Sequence, residues 1–134
     1  MRRILLRAFC CLCAIVPSFA ATAADYPNRP VRVIVGLTAG SGVDVMARLV
    51  GAKLAEATGQ PFVVENRPGA GSNIATRFAA TQAADGYTIF VATVANAINA
   101  TLYRKLQFDV LRDFSPVILA ATAPNVLLVN PSPN

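Results

Sequence analysis

Two glycine-rich turns constrain this 134-residue chain more than any other feature. The first reads TAGSGVD at residues 38–44, and the second reads RPGAGSN at residues 67–73. Each follows a short apolar run and precedes an amphipathic stretch, so the pattern predicts strand, tight turn and helix twice in succession. Glycine permits positive φ and close backbone approach, and the helix that follows presents unpaired N–H groups. Both turns are therefore typical of anion-binding sites.

The N-terminus has the features of a secretory signal peptide at residues 1–24. Arg2, Arg3 and Arg7 precede an apolar core, and small residues end the segment at Ala24. The apolar core is shorter than the roughly 20 residues of a membrane-spanning helix, which favours cleavage over a retained anchor. We therefore expect an exported protein that has no membrane insertion after cleavage.

Cleavage would also change the chemistry of the chain. All three cysteines, Cys10, Cys11 and Cys13, lie in the signal, so the mature part would have neither disulfides nor thiolates. Three of the twelve basic residues and none of the seven acidic residues lie there too. The mature net charge of +2, nine basic against seven acidic residues, gives no support to nucleic-acid binding.

The order of the remaining elements predicts a parallel sheet. Residues 31–36 (VRVIVG) are typical of a buried strand, and apolar residues at three- and four-residue steps from Val45 to Ala57 predict an amphipathic helix that Gly59 ends. A second strand is predicted at residues 62–65, followed by a helix from Ser72 onward. Alternating strands and helices with short connections define an α/β, doubly wound parallel sheet.

Further elements are predicted in the second half of the chain. After the Asp85-Gly86 turn, residues 87–93 are typical of a third strand, and residues 96–103 of a short helix or loop. Two more strands are predicted at residues 117–121 and 126–129. In such sheets ligands bind beyond the carboxyl ends of the strands, where both glycine turns and the corner at residues 93–96 lie.

The mature sequence is poor in catalytic side chains. It has no histidine, no cysteine and no close carboxylate pair, which argues against an enzyme and against a metal site or cofactor. One rival is a dinucleotide fingerprint, since Gly40 and Gly42 follow the first strand and Glu65 ends the second. Its third glycine is missing, and an exported protein seldom meets NAD.

Each polar residue of the turns also has a structural explanation. Asp44 and Ser72 are suited to cap the helices that follow them, and the glycines to turn geometry alone. Thr93 and Asn96 lie at the end of a predicted buried strand, where their role is either that of turn caps or that of site residues. Arg67 and Arg77 are expected to be solvated.

Eight short motifs together carry a resemblance to the Bug (TctC-like) family of periplasmic substrate-binding proteins. The run VENRPGAG is the most specific of them. The motifs are YPxRP (26–30), DVMAR (44–48), GQP (59–61), VENRPGAG (64–71), DGY (85–87), AIN (97–99), LY (102–103) and PNV (124–126).

The resemblance implies a two-lobed α/β fold that closes on a small carboxylate and passes it to the subunits of a tripartite tricarboxylate transporter in the membrane, without catalysis. This sequence resembles the first lobe, so residues 25–134 are expected to form an incomplete, truncated binding domain. Carried over by position, three loops hold the ligand, at residues 38–44, 71–73 and 93–97. Their expected ligand-binding residues are Thr38, Gly40, Ser41, Gly42, Asp44, Gly71, Ser72, Asn73, Thr93 and Asn96.

Two departures from the family pattern fall in the first loop. Residues 36–39 (GLTA) stand where the family usually has a proline-rich stretch, and Val43 replaces a common threonine, which puts one ligand contact in question.

Two alternatives from other classes remain open. A lone lobe could associate with itself or with a sensor, which would be recognised by a dimer that buries residues 117–129. A nucleotide-binding α/β enzyme would instead require NAD to protect Gly40 and Glu65.

Overall fold

A computed structural model describes residues 26–124, 126 and 127 of the chain. The predicted signal peptide lies outside this part. Within it, no helix combines the length and apolar character needed to cross a bilayer. The elements in chain order are β1 (Val31–Val35), α1 (Gly42–Thr58), β2 (Phe62–Asn66), a 3-10 turn (Ala70–Ser72), α2 (Asn73–Ala80), β3 (Thr88–Val91) and α3 (Val94–Leu102).

The three strands form one parallel sheet in the order β2-β1-β3. In the central strand, Val33 and Val35 pack against Ala47 of α1. Arg32 points to the opposite face, where its guanidinium lies 5.1 Å from the ring centre of Phe78 in α2. Helices therefore cover both faces, and the prediction of a doubly wound parallel α/β sheet is confirmed.

The first helix begins and ends with the predicted local signals. Ser41 is its N-cap and accepts a hydrogen bond from the Asp44 N–H at 3.3 Å, so the capping side chain is that of Ser41 and not that of Asp44. Gly59 ends the helix with φ +72°, and its N–H donates to the Ala55 carbonyl at 2.9 Å.

The face of α1 that packs on the sheet is lined by small residues. Asp44, Ala47 and Gly51 are its buried residues, and a Cβ at Gly51 would lie 3.3 Å from Cβ of Phe62. Val45 and Leu49, which belong to the apolar stripe that predicted the helix, are 57% and 64% exposed. The helix therefore approaches the sheet closely through its small side chains and leaves much of its apolar stripe uncovered.

The prediction of a strand at residues 117–121 is wrong. This segment has no regular secondary structure, and Val117 is 87% exposed. Val126 and Leu127 are also outside any strand, while residues 128 and 129 lie outside the described part. An apolar, β-branched run becomes a strand when a neighbour satisfies its backbone groups, and no described strand lies beside this one.

Candidate functional site

Three connections lie at the carboxyl-terminal edge of the sheet. Because the strands are parallel, the residues that follow β1, β2 and β3 all emerge at this one edge. The first glycine turn (38–44) leads into α1, the second (67–73) into α2, and the third loop (93–97) into α3. The helix N-termini therefore lie at the edge where the sequence predicted a ligand.

Gly36, directly after β1, allows the second turn to cross the end of the central strand. The Arg67 N–H donates to the Val35 carbonyl at 2.8 Å, which brings the chain leaving β2 alongside β1. Ser72 then lies so close that a Cβ on Gly36 would be 2.6 Å from Cβ of Ser72. A side chain at position 36 would obstruct this crossing.

The carboxylate of Asp44 holds the first turn in place through hydrogen bonds. The residue is 3% exposed, and its carboxylate accepts from the Gly40 N–H at 2.9 Å and from Asn66 Nδ2 at 2.9 Å. Arg48 lies 3.0 Å away, and its hydrogen bond, with those of Gly40 and Asn66, lowers the pKa of Asp44 to about 2. The carboxylate is thus ionised at neutral pH. It connects the turn to β2 through Asn66, the last residue of that strand, which also donates to the Leu37 carbonyl at 3.1 Å.

The first two N–H groups of α1 and of α3 donate to no residue in the described part of the chain. They belong to Gly42 and Val43 in α1 and to Val94 and Ala95 in α3. Gly42 is exposed, as are Thr38 and Gly40 in the turn before it, and Ser41 is half-buried. Such N–H groups carry the positive end of the helix dipole, so both sites are suited to negatively charged oxygen atoms.

The second turn adopts an uncommon backbone conformation. Gly69, Ala70, Gly71 and Ser72 follow one another with φ of 129°, 46°, 62° and 76°. Ser72 precedes α2, but its side chain makes no capping hydrogen bond and is 2% exposed. The expectation that the Ser72 side chain caps this helix is wrong, because the left-handed backbone and the contact with Gly36 direct the hydroxyl inward.

Buried amides connect the second turn with the third loop. Asn96 accepts from the Thr93 N–H at 2.7 Å and donates to Thr76 Oγ1 at 2.8 Å, while Thr76 donates to the Ser72 carbonyl at 2.8 Å. Asn99 donates to the Gly71 carbonyl at 2.7 Å and to Asn73 Oδ1 at 2.9 Å. The structure therefore brings together Gly71, Ser72, Asn73, Thr93 and Asn96, with Thr93 as the N-cap of α3.

Glu65 and Arg67 belong to an ion-pair cluster on the α2 face of the sheet. Glu65 accepts from Arg32 at 2.7 and 2.9 Å and from Arg67 at 3.3 Å, and the bond from Arg32 is the main cause of its lowered pKa. Arg67 lies 3.7 Å from the ring centre of Phe78, so it is not the solvated residue that the sequence suggested. Arg77 is exposed and donates to Gln107 at 2.9 Å. With its oxygens engaged by arginines, Glu65 is poorly placed to hold a ribose.

Four residues that shape this edge were not among the predicted site residues: Arg48, Asn66, Thr76 and Asn99. Asn66 and Asn99 lie within the motifs VENRPGAG and AIN, and Arg48 ends DVMAR, but no local pattern shows what their side chains contact. Their partners are up to 29 positions away in sequence. Among the described residues, no three histidine, cysteine or acidic side chains come together as a metal would require.

These features define an α/β unit with helix N-termini at one sheet edge, and comparisons with known proteins identify its family. The model of the tripartite tricarboxylate transporter family receptor, TctC, matches residues 46–134. The chain therefore belongs to the TctC family, whose members are solute-binding receptors and not enzymes.

Two curated relatives show how much of such a protein is present. Protein BugT of Bordetella pertussis is 40% identical over 130 residues, which cover 90% of this chain and 40% of BugT. A protein encoded between tcbD and tcbE in a Pseudomonas strain is 38% identical over 104 residues, or 78% of this chain and 31% of the relative. The chain thus spans between 31% and 40% of the length of these relatives.

Solved structures agree with the family assignment. MatC from Rhodopseudomonas palustris with bound malate superposes with a TM-score of 0.65 at 36% identity, covering 69% of this chain and 32% of MatC. Rpa4515 of R. palustris with adipate superposes with a TM-score of 0.57 at 41% identity, covering 63% of this chain and 28% of Rpa4515. A structure described as a periplasmic transporter superposes with a TM-score of 0.59 at 41% identity, covering 63% of this chain and 29% of that protein.

Proposed function

We propose that this chain supplies carboxylate-binding loops of a periplasmic solute-binding protein. The observation that carries the proposal is the pair of helix N-termini at one sheet edge, each with two N–H groups that have no described partner. A carboxylate presents two oxygen atoms that accept such hydrogen bonds, and the helix dipoles favour its negative charge. Recognition by backbone groups also agrees with the scarcity of catalytic side chains.

Membership of the TctC family supports the same assignment. Two members that superpose on the chain were solved with malate and with adipate, which are both small carboxylates. By analogy, we propose that the ligand here is a small carboxylate, and that a membrane transporter of the tripartite tricarboxylate type receives it. The direct contacts would be made by the other predicted residues of the three loops, while the buried Asp44, Ser72 and Asn96 would hold those loops in place.

The first turn offers a sharp test at Gly42. Proline lacks an N–H but fits the first position of a helix, and Ser41 has the extended φ of −67° and ψ of 157° that a residue before proline requires. A Cβ at Gly42 has no neighbour within 4 Å. The variant Gly42→Pro should therefore fold normally and lose one donor, whereas Gly42→Ala keeps the donor and serves as its control.

The measurement is a thermal melt of the exported chain, expressed from its full sequence, with malate, adipate, citrate and acetate at constant ionic strength. A ligand that prefers the folded state raises the melting temperature. We expect one of these acids to do so for wild type and Gly42→Ala, and to do so less for Gly42→Pro. A folded wild-type chain that responds to none of them would contradict carboxylate binding, and an equal response of the two variants would exclude the Gly42 N–H as a donor.

The transport role needs a separate measurement in cells. Uptake of the radiolabelled acid that raises the melting temperature should fall when the gene for this chain is deleted, and should return when the gene is restored. Unchanged uptake would contradict the transport role and leave the binding assignment intact.

A further inference from the structure

The second glycine turn holds a conformation that its own residues do not favour. Four successive residues have positive φ, and two of them, Ala70 and Ser72, are not glycine. L-residues with side chains rarely adopt this region, because Cβ then approaches the carbonyl oxygen. Contacts from outside the turn must therefore stabilise it.

Asn99 of α3 makes two such contacts. Its Nδ2 donates to the Gly71 carbonyl at 2.7 Å and to the side-chain oxygen of Asn73 at 2.9 Å. The residue is 5% exposed, so water does not compete strongly for these bonds. A Cβ on Gly71 would lie 3.3 Å from Nδ2, which shows how closely the turn fits the amide. One side chain thus connects the residue before Ser72 with the residue after it.

Asn96, three positions earlier on α3, makes the matching contacts with the third loop. It accepts from the Thr93 N–H and donates to Thr76 in α2. Residues three apart lie on the same side of a helix, so both asparagines face the second turn and α2. The second turn and the start of α3 are therefore joined through buried hydrogen bonds.

We propose that Asn99 is a positioning residue for the anion site. It does not bind the ligand: it holds the Gly71 carbonyl and the Asn73 side chain so that the second turn keeps the shape that faces the third loop. Without its Nδ2, the turn would relax toward more favourable φ values while the sheet stayed folded. The effect on ligand affinity rests on the function proposed above, whereas the effect on the turn does not.

The variant Asn99→Leu tests this, because leucine has a similar shape and lacks the N–H donors without adding a negative charge beside the proposed anion site. Ile98→Ala is the control, since Ile98 is the preceding residue of the same helix and is 54% exposed. Amide hydrogen exchange, followed by NMR in the full chain, reports on Ser72 and Asn73, whose N–H groups donate to Gly69 and Ala70 within the turn. Affinity for malate and for adipate is measured in parallel.

We expect exchange at Ser72 and Asn73 to accelerate about fivefold in Asn99→Leu, as the loss of a hydrogen bond predicts, with exchange in β1 unchanged. Affinity for the probe that binds should fall about tenfold, because the site is less preorganised. Ile98→Ala should change neither quantity.

Exchange that is unchanged at the turn, or accelerated equally in β1, would overturn the proposal. If Asn99→Leu does not fold, Asn99→Ala replaces it, and failure of both to fold would also overturn the proposal by making Asn99 a general requirement for folding. If wild type binds neither probe, the proposed function fails, while hydrogen exchange still decides the role of Asn99.

Discussion

Gly36 and Ser72 lie in direct contact where the second turn crosses the end of β1. A Cβ built on Gly36 would lie 2.6 Å from Cβ of Ser72 and 3.1 Å from its Cα, which is closer than unbonded carbon atoms pack. Both residues are buried, and Ser72 is 36 positions further along the chain. The contact fixes how the chain from β2 reaches the other side of the central strand.

Replacing Gly36 by alanine should destabilise the fold. The new methyl group meets the backbone as well as the side chain of Ser72, so we expect a loss of about 2 kcal/mol in the free energy of unfolding. Urea denaturation measures the change. Gly42→Ala is the control because open space surrounds that position, and it should change stability by less than about 0.5 kcal/mol. Equal losses in the two variants would show that the contact with Ser72 is not responsible.

Removing the Asp44 carboxylate should loosen the first turn and destabilise α1. Asp44→Ala would leave the Gly40 N–H and the Asn66 amide without their acceptor, so we expect the melting temperature to fall by about 5 °C or more. Glu56→Ala is the control on the same helix, since Glu56 forms an exposed pair with Lys53. It should change the melting temperature by less than about 2 °C. A similar effect of both changes would mean that Asp44 acts as a surface residue.

The contribution of Asp44 should depend on pH. Its pKa is about 2 in the folded chain, where Arg48, Gly40 and Asn66 stabilise the carboxylate, and about 4 in an unfolded chain. Because the folded pKa is the lower one, this stabilisation is fully present above pH 4 and is lost as the pH falls toward 2. The difference in stability between wild type and Asp44→Asn, measured by urea denaturation at pH 6, 4, 3 and 2, should therefore shrink over the lower part of this range. A constant difference would contradict the lowered pKa.

Two serines that precede helices should respond differently to alanine. Ser41 caps α1 through its hydroxyl, so Ser41→Ala should cost about 1 kcal/mol. The hydroxyl of Ser72 is not a cap, and among the described residues it takes part in one hydrogen bond, from Asn96 Nδ2, which is long at 3.5 Å. Ser72→Ala should therefore cost less than about 0.5 kcal/mol. A larger loss for Ser72 than for Ser41, by chemical denaturation, would contradict the conclusion that the Ser72 hydroxyl makes no strong hydrogen bond.

Local pattern was sufficient for the order of the elements around the sheet. Apolar runs, glycine turns and the stop at Gly59 act within a few residues, and they predicted β1, α1, β2, α2 and β3 with small errors at the ends. The same patterns placed the glycine turns at the carboxyl-terminal edge, because parallel topology follows from the alternation of strands and helices. The prediction of a strand at residues 117–121 was wrong, because a strand also needs a neighbouring strand to pair with, which the segment itself does not specify.

The sequence by itself therefore determined the succession of strands, turns and helices, and the type of ligand group that their ends suit. The tertiary structure decided which side of α1 packs on the sheet and that position 36 has no room for a side chain. It also decided that Asn66 and Asn99 form hydrogen bonds with the turns. The physical reason is distance along the chain: helix caps and turns depend on neighbours within about four positions, whereas these contacts join residues 11 to 36 positions apart. Such contacts form when the sheet brings distant turns to one edge.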